Sequence, residues 1–150
     1  MSIEIERKFL LNSLPEDYRK DAIEILQGYL LICEDGQEVR VRKKGEIFLH
    51  TIKKPLAEGR TEIEIEISEV QFNKLWAFTK GRRLEKTRYH YLLNHGLVAE
   101  IDVYKGKNAG LTVVEVEFKT REELINFAKP EWFGQEITGE KKYKNQNLAS

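Results

Sequence analysis

The stretch RTEIEIEIS, residues 60–68, puts Glu62, Glu64 and Glu66 on one parity and Ile63, Ile65 and Ile67 on the other. Strict alternation is the signature of a β-strand with one charged and one apolar face. The same texture recurs to either side. IEIERKFLL (3–11) and EVRVRKK (38–44) alternate as clearly, while QGYLLIC (27–33), IFLHTIKK (47–54), LEKTRYHYLL (84–93), LVAEIDVYK (97–105) and LTVVEVEFK (111–119) do so more weakly. Eight strands are therefore predicted. Asp35-Gly36, Lys44-Gly45-Glu46, Asn94-His95-Gly96 and residues 106–110 separate successive runs. Such tight connections suit hairpins, and up-and-down antiparallel pairing is the economical topology. Helical texture covers 68–80, capped by Ser68 and ended by Gly81, and 120–128, stopped before Pro130. Shorter helices are expected after Pro15 and over 143–149.

The 150 residues suit one domain, 1–150, with no solenoid period, low-complexity tract or linker to divide it. Lys and Arg number 25 against 25 Asp and Glu, so the basic excess expected of a general nucleic-acid binder is missing. No apolar run reaches the roughly 18 residues of a membrane span, and no leader pattern opens the chain. These features predict a soluble, cytoplasmic protein with no membrane partner and no stable nucleic-acid binding. A lone Cys33 and the scattered His50, His90 and His95 argue against a disulfide framework and against a Cys or His metal site.

Eight strands with short turns suggest a closed barrel, which removes sheet edges and leaves a small interior. Two arrangements satisfy the alternation. In the ordinary one, Ile63, Ile65 and Ile67 fill the barrel and Glu62, Glu64 and Glu66 meet water. In the inverted one, the charged faces line a polar tunnel and helices cover the apolar faces outside. The charged faces are nearly all Glu, Arg and Lys, whereas solvated strand surfaces usually mix in Thr, Ser and Gln. They supply eight carboxylates (Glu4, Glu6, Glu62, Glu64, Glu100, Asp102, Glu115, Glu117) and six bases (Lys8, Arg40, Arg42, Lys53, Lys86, Arg88). If these converge, burial must be met by mutual pairing, water or bound ions. A polyphosphate carrying Mg²⁺ or Mn²⁺ satisfies both sets, since hard cations take carboxylate oxygens and Arg and Lys take phosphate oxygens. Periodicity alone leaves the choice open.

The opening EIERKF sets Glu4, Glu6 and Lys8 in an ExExK arrangement. RVR (Arg40, Arg42), IKK (Lys53), EIEIE (Glu62, Glu64), KTR (Lys86, Arg88), EID (Glu100, Asp102) and VEVEF (Glu115, Glu117) follow in order, and ITGEKKYKNQNLA ends the series. Across nearly the whole chain this resembles the CYTH superfamily, the triphosphate tunnel metalloenzymes. The resemblance implies an α+β fold: an eight-stranded antiparallel β-barrel forming a polar tunnel, with helices packed outside. It also implies hydrolysis or rearrangement of triphosphate substrates with divalent metal. Lys8, Arg40, Arg42, Lys53, Lys86 and Arg88 are then the phosphate contacts, and Glu4, Glu6, Glu115 and Glu117 the metal ligands. Glu62, Glu64, Glu100 and Asp102 would serve a second metal or position water. Tyr29 matches a position where relatives are proposed to pair a tyrosine with a lysine, here Lys86, in proton transfer; the bland alternative is a core tyrosine with a satisfied hydroxyl. Lys8, Tyr29 and Lys86 are thus the catalytic candidates. Lys141 or Lys142 would reach a tunnel mouth or simply be solvated.

Within that family the compact hairpins leave little surface for a base or thiazole ring, since Tyr104, Trp132 and Phe133 serve equally well as packing. The form resembles inorganic tripolyphosphatases, giving hydrolysis of tripolyphosphate to pyrophosphate and phosphate, with Mg²⁺ or Mn²⁺ as cofactor. The runner-up is a class IV adenylyl cyclase or a thiamine or nucleoside triphosphatase. A tunnel that only sequesters polyphosphate or nucleotide, and an ordinary barrel carrying an apolar ligand, are the non-enzymatic readings. Family members are often dimers, but no segment shows a decisive interface patch.

Overall fold

A computed structural model describes residues 2–57 and 59–150, with side chains from Ile5 onward, so the Glu4 carboxylate lies outside the described residues. The strands are β1 (Ser2–Leu11), β2 (Ile23–Ile32), β3 (Glu38–Lys44), β4 (Ile47–Pro55), β5 (Arg60–Ile67), β6 (Arg83–Leu92), β7 (Val98–Tyr104), β8 (Thr112–Phe118) and β9 (Phe133–Glu136). Three helices accompany them: α1 (Glu69–Trp76), α2 (Arg121–Asn126) and α3 (Asn145–Leu148).

All described pairings are antiparallel, in the order β5-β4-β3-β2-β6-β7-β8-β1-β9, and β5 additionally pairs with β1. A simple up-and-down topology is therefore corrected. β2–β5 and β6–β8 are each meanders, but β2 pairs with β6, and β1 pairs with β8 and β5 instead of β2. The crossover from β5 to β6 explains this: α1 carries the chain back over β3 and β4, so β6 arrives beside β2.

Each predicted strand forms, with β2 starting earlier, at Ile23, and β9 as an unpredicted addition. α1 starts where Ser68 caps it. The Ser68 hydroxyl accepts the Gln71 N–H at 3.1 Å, and the Gln71 side chain accepts the Ser68 N–H at 2.9 Å. The predicted helix through residue 80 ends instead in a 3₁₀ turn over Ala77–Thr79. α2 starts on Thr120, whose hydroxyl accepts the Glu123 N–H. After Pro15 a turn replaces the expected helix, the Tyr18 N–H bonding the Pro15 carbonyl. Over 143–149 only the short α3 forms, after a 3₁₀ turn at Lys141–Tyr143.

The sheet's two faces settle which side chains converge. The main core, Phe9, Ile101, Val114, Val116, Phe118 and Phe133 with Phe127 and Trp132 against it, lies on the face of β1, β7 and β8 away from Glu6, Lys8, Glu100, Asp102, Glu115 and Glu117. On β5 the isoleucines Ile63 and Ile65 are 48% and 53% exposed, so they fill no interior and the ordinary arrangement fails. A second cluster, Leu84, Tyr104, Val113 and Ile137 with Leu10, Tyr143 and Leu148, joins the apolar end of the charged face to the C-terminal segment. That segment also bonds β6, Ser150 and Arg83 exchanging both backbone hydrogen bonds. Among the described residues no helix is long and apolar enough to cross a membrane.

Candidate active site

Directly opposed residues of paired strands share a face. The register opposes Lys8 to Glu115, Glu115 to Glu100, Arg88 to Asp102, Arg40 to both Tyr29 and Thr51, Thr51 to Glu64, and Lys53 to both Glu38 and Glu62. The charged parities of seven of the long strands therefore fall on one side, together with Gln27 and Tyr29 of β2. That side bounds a cavity of about 940 Å³, lined by Glu6, Lys8, Arg40, Arg42, Lys53, Glu62, Glu64, Arg88, Glu100, Glu115 and Glu117 from the predicted set. Tyr29, Lys86 and Asp102 are buried on the same face without lining it.

Charge is sorted around the cavity. Arg40, Arg42, Lys44 and Lys53 come from the neighbouring β3 and β4, whereas Glu100, Glu115, Glu117 and Glu6 come from the neighbouring β7, β8 and β1. Lys8 projects from within the acidic wall, its ammonium donating to the Tyr143 carbonyl at 2.7 Å.

The ion pairs fall into two groups by length. Arg40 to Glu38, Arg42 to Glu64 and Lys53 to Glu62 are loose, at 3.4, 3.3 and 3.6 Å, and Nε of both Arg40 and Arg42 is buried without a partner. Arg88, in contrast, gives Nε and a terminal nitrogen to the two Asp102 oxygens at 2.7 and 2.9 Å, and Lys86 reaches Asp102 at 2.7 Å. A bidentate contact of this kind is strong and directional. It commits Arg88 to the framework and leaves Arg40 and Arg42 ready to exchange partners.

Burial penalises each of these charges, and the neighbours decide the outcome. It pulls Lys86 down to about 7 although Asp102 opposes the shift. It also lowers Arg42, with help from Arg40 and Arg88, to about 10. Against the same penalty Arg88 and Lys86 hold the Asp102 carboxyl far below its usual range, and His90 and Arg88 hold Glu100 at about 2. Burial drives the Tyr29 phenol well above its ordinary value.

The structure does not bring together every pair expected from the sequence. The Tyr29 hydroxyl bonds Gln27, and Lys86 pairs with Asp102 and lies over the Tyr104 ring. Trp132 and Phe133 pack in or against the main core, Tyr104 is buried, and Lys141 and Lys142 are exposed outside the cavity lining. Sequence reading missed Glu38, Lys44 and Arg60, which share the parity of residues it chose and line the cavity; extending that parity to the strand ends would have found them. Lys144 also lines it, from the non-periodic tail, and Arg60 lies 2.7 Å from Glu6.

The donor set suits a hard divalent cation: Glu6 directly opposes Glu117, and Glu115 opposes Glu100. Among the described residues no three acidic, His or Cys side chains already meet at one point.

The sequence profile of the CYTH domain matches residues 2–148. The chain belongs to the CYTH family. Among CYTH relatives, the inorganic triphosphatase of Nitrosomonas europaea is 44% identical over 146 residues, 97% of this chain and 96% of that one. The inorganic triphosphatase of Acetivibrio thermocellus is 34% identical over 153 residues, covering 99% and 94%. A crystal structure of an inorganic triphosphatase superposes with a TM-score of 0.74 at 43% identity, over 99% of this chain and 95% of that one. A putative adenylyl cyclase from Hippeastrum, described as having a dominant triphosphatase activity, shares the fold at 16% identity and a TM-score of 0.61, over 82% and 83%.

Proposed function

We propose that the chain is a metal-dependent inorganic triphosphatase, hydrolysing tripolyphosphate to pyrophosphate and phosphate. The carrying observation is the sorted cavity, with a basic wall in which Arg40 and Arg42 are loosely paired and keep a buried Nε unsatisfied, beside a wall of carboxylates. A bare polyanion needs the first, and a divalent cation on that polyanion needs the second. The naming of both curated CYTH relatives as inorganic triphosphatases supports the same substrate. The additional β1–β5 pairing supports reading the eight long strands as one barrel, a tunnel, within a single domain.

In this reading Arg40 and Arg42 release Glu38 and Glu64 and take phosphate oxygens instead, an exchange favoured by the length of their resting pairs, and Lys53 adds its charge from β4. Lys8 adds a charge from the opposite side, and the Lys86–Asp102–Arg88 group keeps that wall in place. Glu6, Glu115 and Glu117, with Glu4, would hold a divalent cation, Mg²⁺ or Mn²⁺, which when bound neutralises phosphate charge and lowers the pKa of a bound water. Catalysis is then positioning and charge neutralisation, the main demands of phosphoryl transfer.

The test is phosphate and cyclic-nucleotide release from tripolyphosphate, ATP, thiamine triphosphate and pyrophosphate with each metal. Tripolyphosphate should be turned over in preference to ATP, because a nucleoside leaves charged positions unfilled. Equal turnover of ATP, cyclic AMP as the main product, or tight binding without turnover would each overturn the assignment.

A further inference from the structure

Gln27 and Tyr29 are the polar residues of β2 on the charged face, and both are fully buried without lining the cavity. Two positions apart on one strand, they point the same way. The Gln27 amide donates to the Tyr29 hydroxyl at 2.7 Å. Tyr29 directly opposes Arg40 on β3, as Gln27 opposes Arg42. The Arg40 guanidinium lies within electrostatic reach of the same hydroxyl, reaches Glu38 only at 3.4 Å, and keeps its Nε buried without a partner. Gln27 therefore holds the phenol from one side, and the register sets Arg40 beside it on the other. Lys86 is occupied elsewhere, by Asp102 and the Tyr104 ring.

We infer that Gln27 and Tyr29 are positioning residues for Arg40: the amide fixes the hydroxyl, the hydroxyl fixes the guanidinium, and the unsatisfied Nε edge is presented to a phosphate oxygen. This rests on the reading of the cavity as a triphosphate site. An unsupported arginine gives up much rotamer freedom when it binds, and ordering it beforehand improves affinity by removing that cost. The support must also not compete with the ligand. A carboxylate at position 29 would satisfy the guanidinium so well that phosphate had to displace it, whereas a neutral phenol orients it and leaves its charge for the substrate. Burial, which drives this phenol upward, keeps it neutral across the working pH range.

The test separates this role from proton transfer. Tyr29→Phe keeps the ring and removes the hydroxyl; Gln27→Met keeps the shape and removes the amide. Tripolyphosphate binding is measured calorimetrically and kcat and KM across pH, with thermal melts to establish folding. Tyr29→Phe should raise KM and Kd about tenfold, the effect of losing one hydrogen bond to a charged group. Its kcat should stay within about twofold of the parent, with the same pH profile. Gln27→Met should move the same constants in the same direction by a smaller factor, which keeps the idea testable if Tyr29→Phe does not fold. Combined with Arg40→Lys, Tyr29→Phe should add little, since both act through one contact. A fall in kcat with loss of one limb of the pH profile, or full additivity with Arg40→Lys, overturns the inference. Arg40→Ala serves as the control. If it leaves tripolyphosphate binding intact, the site reading itself fails; if it weakens binding while Tyr29→Phe binds like the parent, only the positioning role fails.

Discussion

Arg42 and Arg88 carry the same guanidinium on the same face, yet a few tenths of an ångström give them different work. Arg88 is bidentate to Asp102, whereas Arg42 reaches Glu64 at 3.3 Å and keeps Nε unsatisfied. Removing one member of a buried ion pair costs far more than the pair is worth in place, so Asp102 is fixed by what it neutralises. His90 offers a residue whose state can be read by pH. Its ring lies 3.6 Å from Glu100 and contacts the Asp21 carbonyl at 3.2 Å, and chiefly the Glu100 contact raises its pKa above the ordinary value. A raised folded pKa means that the stabilisation is complete below the unfolded value, about 6.5, and fades as pH rises through the folded one. Urea unfolding of the parent and His90→Gln should therefore differ most near pH 6 and converge above about pH 8. A gap that stays constant across that range would show that His90 contributes packing and not charge.

At the scale of elements, the crossover between β5 and β6 is held by a local clamp. Arg83 donates to the Thr79 hydroxyl and the Trp76 carbonyl and stacks on the Trp76 ring, while Arg82 bonds the Phe78 and Tyr29 carbonyls. The clamp lies so close to β2 that a Cβ at Gly28 would meet Trp76 at 2.6 Å and Thr79 at 2.7 Å. Gly28→Ala should thus cost about 1–3 kcal/mol by overpacking, read as a lower Tm of the ligand-free protein. An unchanged Tm would mean that the clamp is loose. This element also marks how far the sequence could be read. Alternation made most of the eight long strands legible because one face carries so many charges, and the charged parity led to most of the cavity lining; β2, whose cavity side is Gln27 and Tyr29 among apolar residues, showed it only weakly. Strand order was not legible, since β2 meets β6 only through the tertiary packing of α1. Nor was β9, whose four residues FGQE carry no alternation long enough to register. Glu38 and Arg60 escaped because they sit at strand ends, and Gln27 because an amide interrupts an otherwise apolar run.

For the molecule as a whole, zero net charge conceals strong local order. Cations concentrated on β3 and β4 and carboxylates concentrated on β7, β8 and β1 cancel in the total, which is why bulk composition excluded nucleic acid but could not point to a substrate. The strand order has a temporal consequence as well. β1 is synthesised before its partners: Lys8 opposes Glu115, more than a hundred residues later, and Glu4 opposes Arg60. At a translation rate of ~5–20 residues per second, β1 waits roughly 5–20 s for its β8 partner. Over that interval the hairpins of β2–β5 can zip locally, since short loops close before distant ones. In pulsed hydrogen exchange during refolding, β1 amides should accordingly gain protection after those of β3 and β4; simultaneous protection would place β1 in the folding nucleus. While it waits, the four charges of EIERK discourage this strand from pairing with that of a neighbouring nascent chain. The residues read as gripping metal and phosphate in the finished enzyme thus also act as gatekeepers on the ribosome.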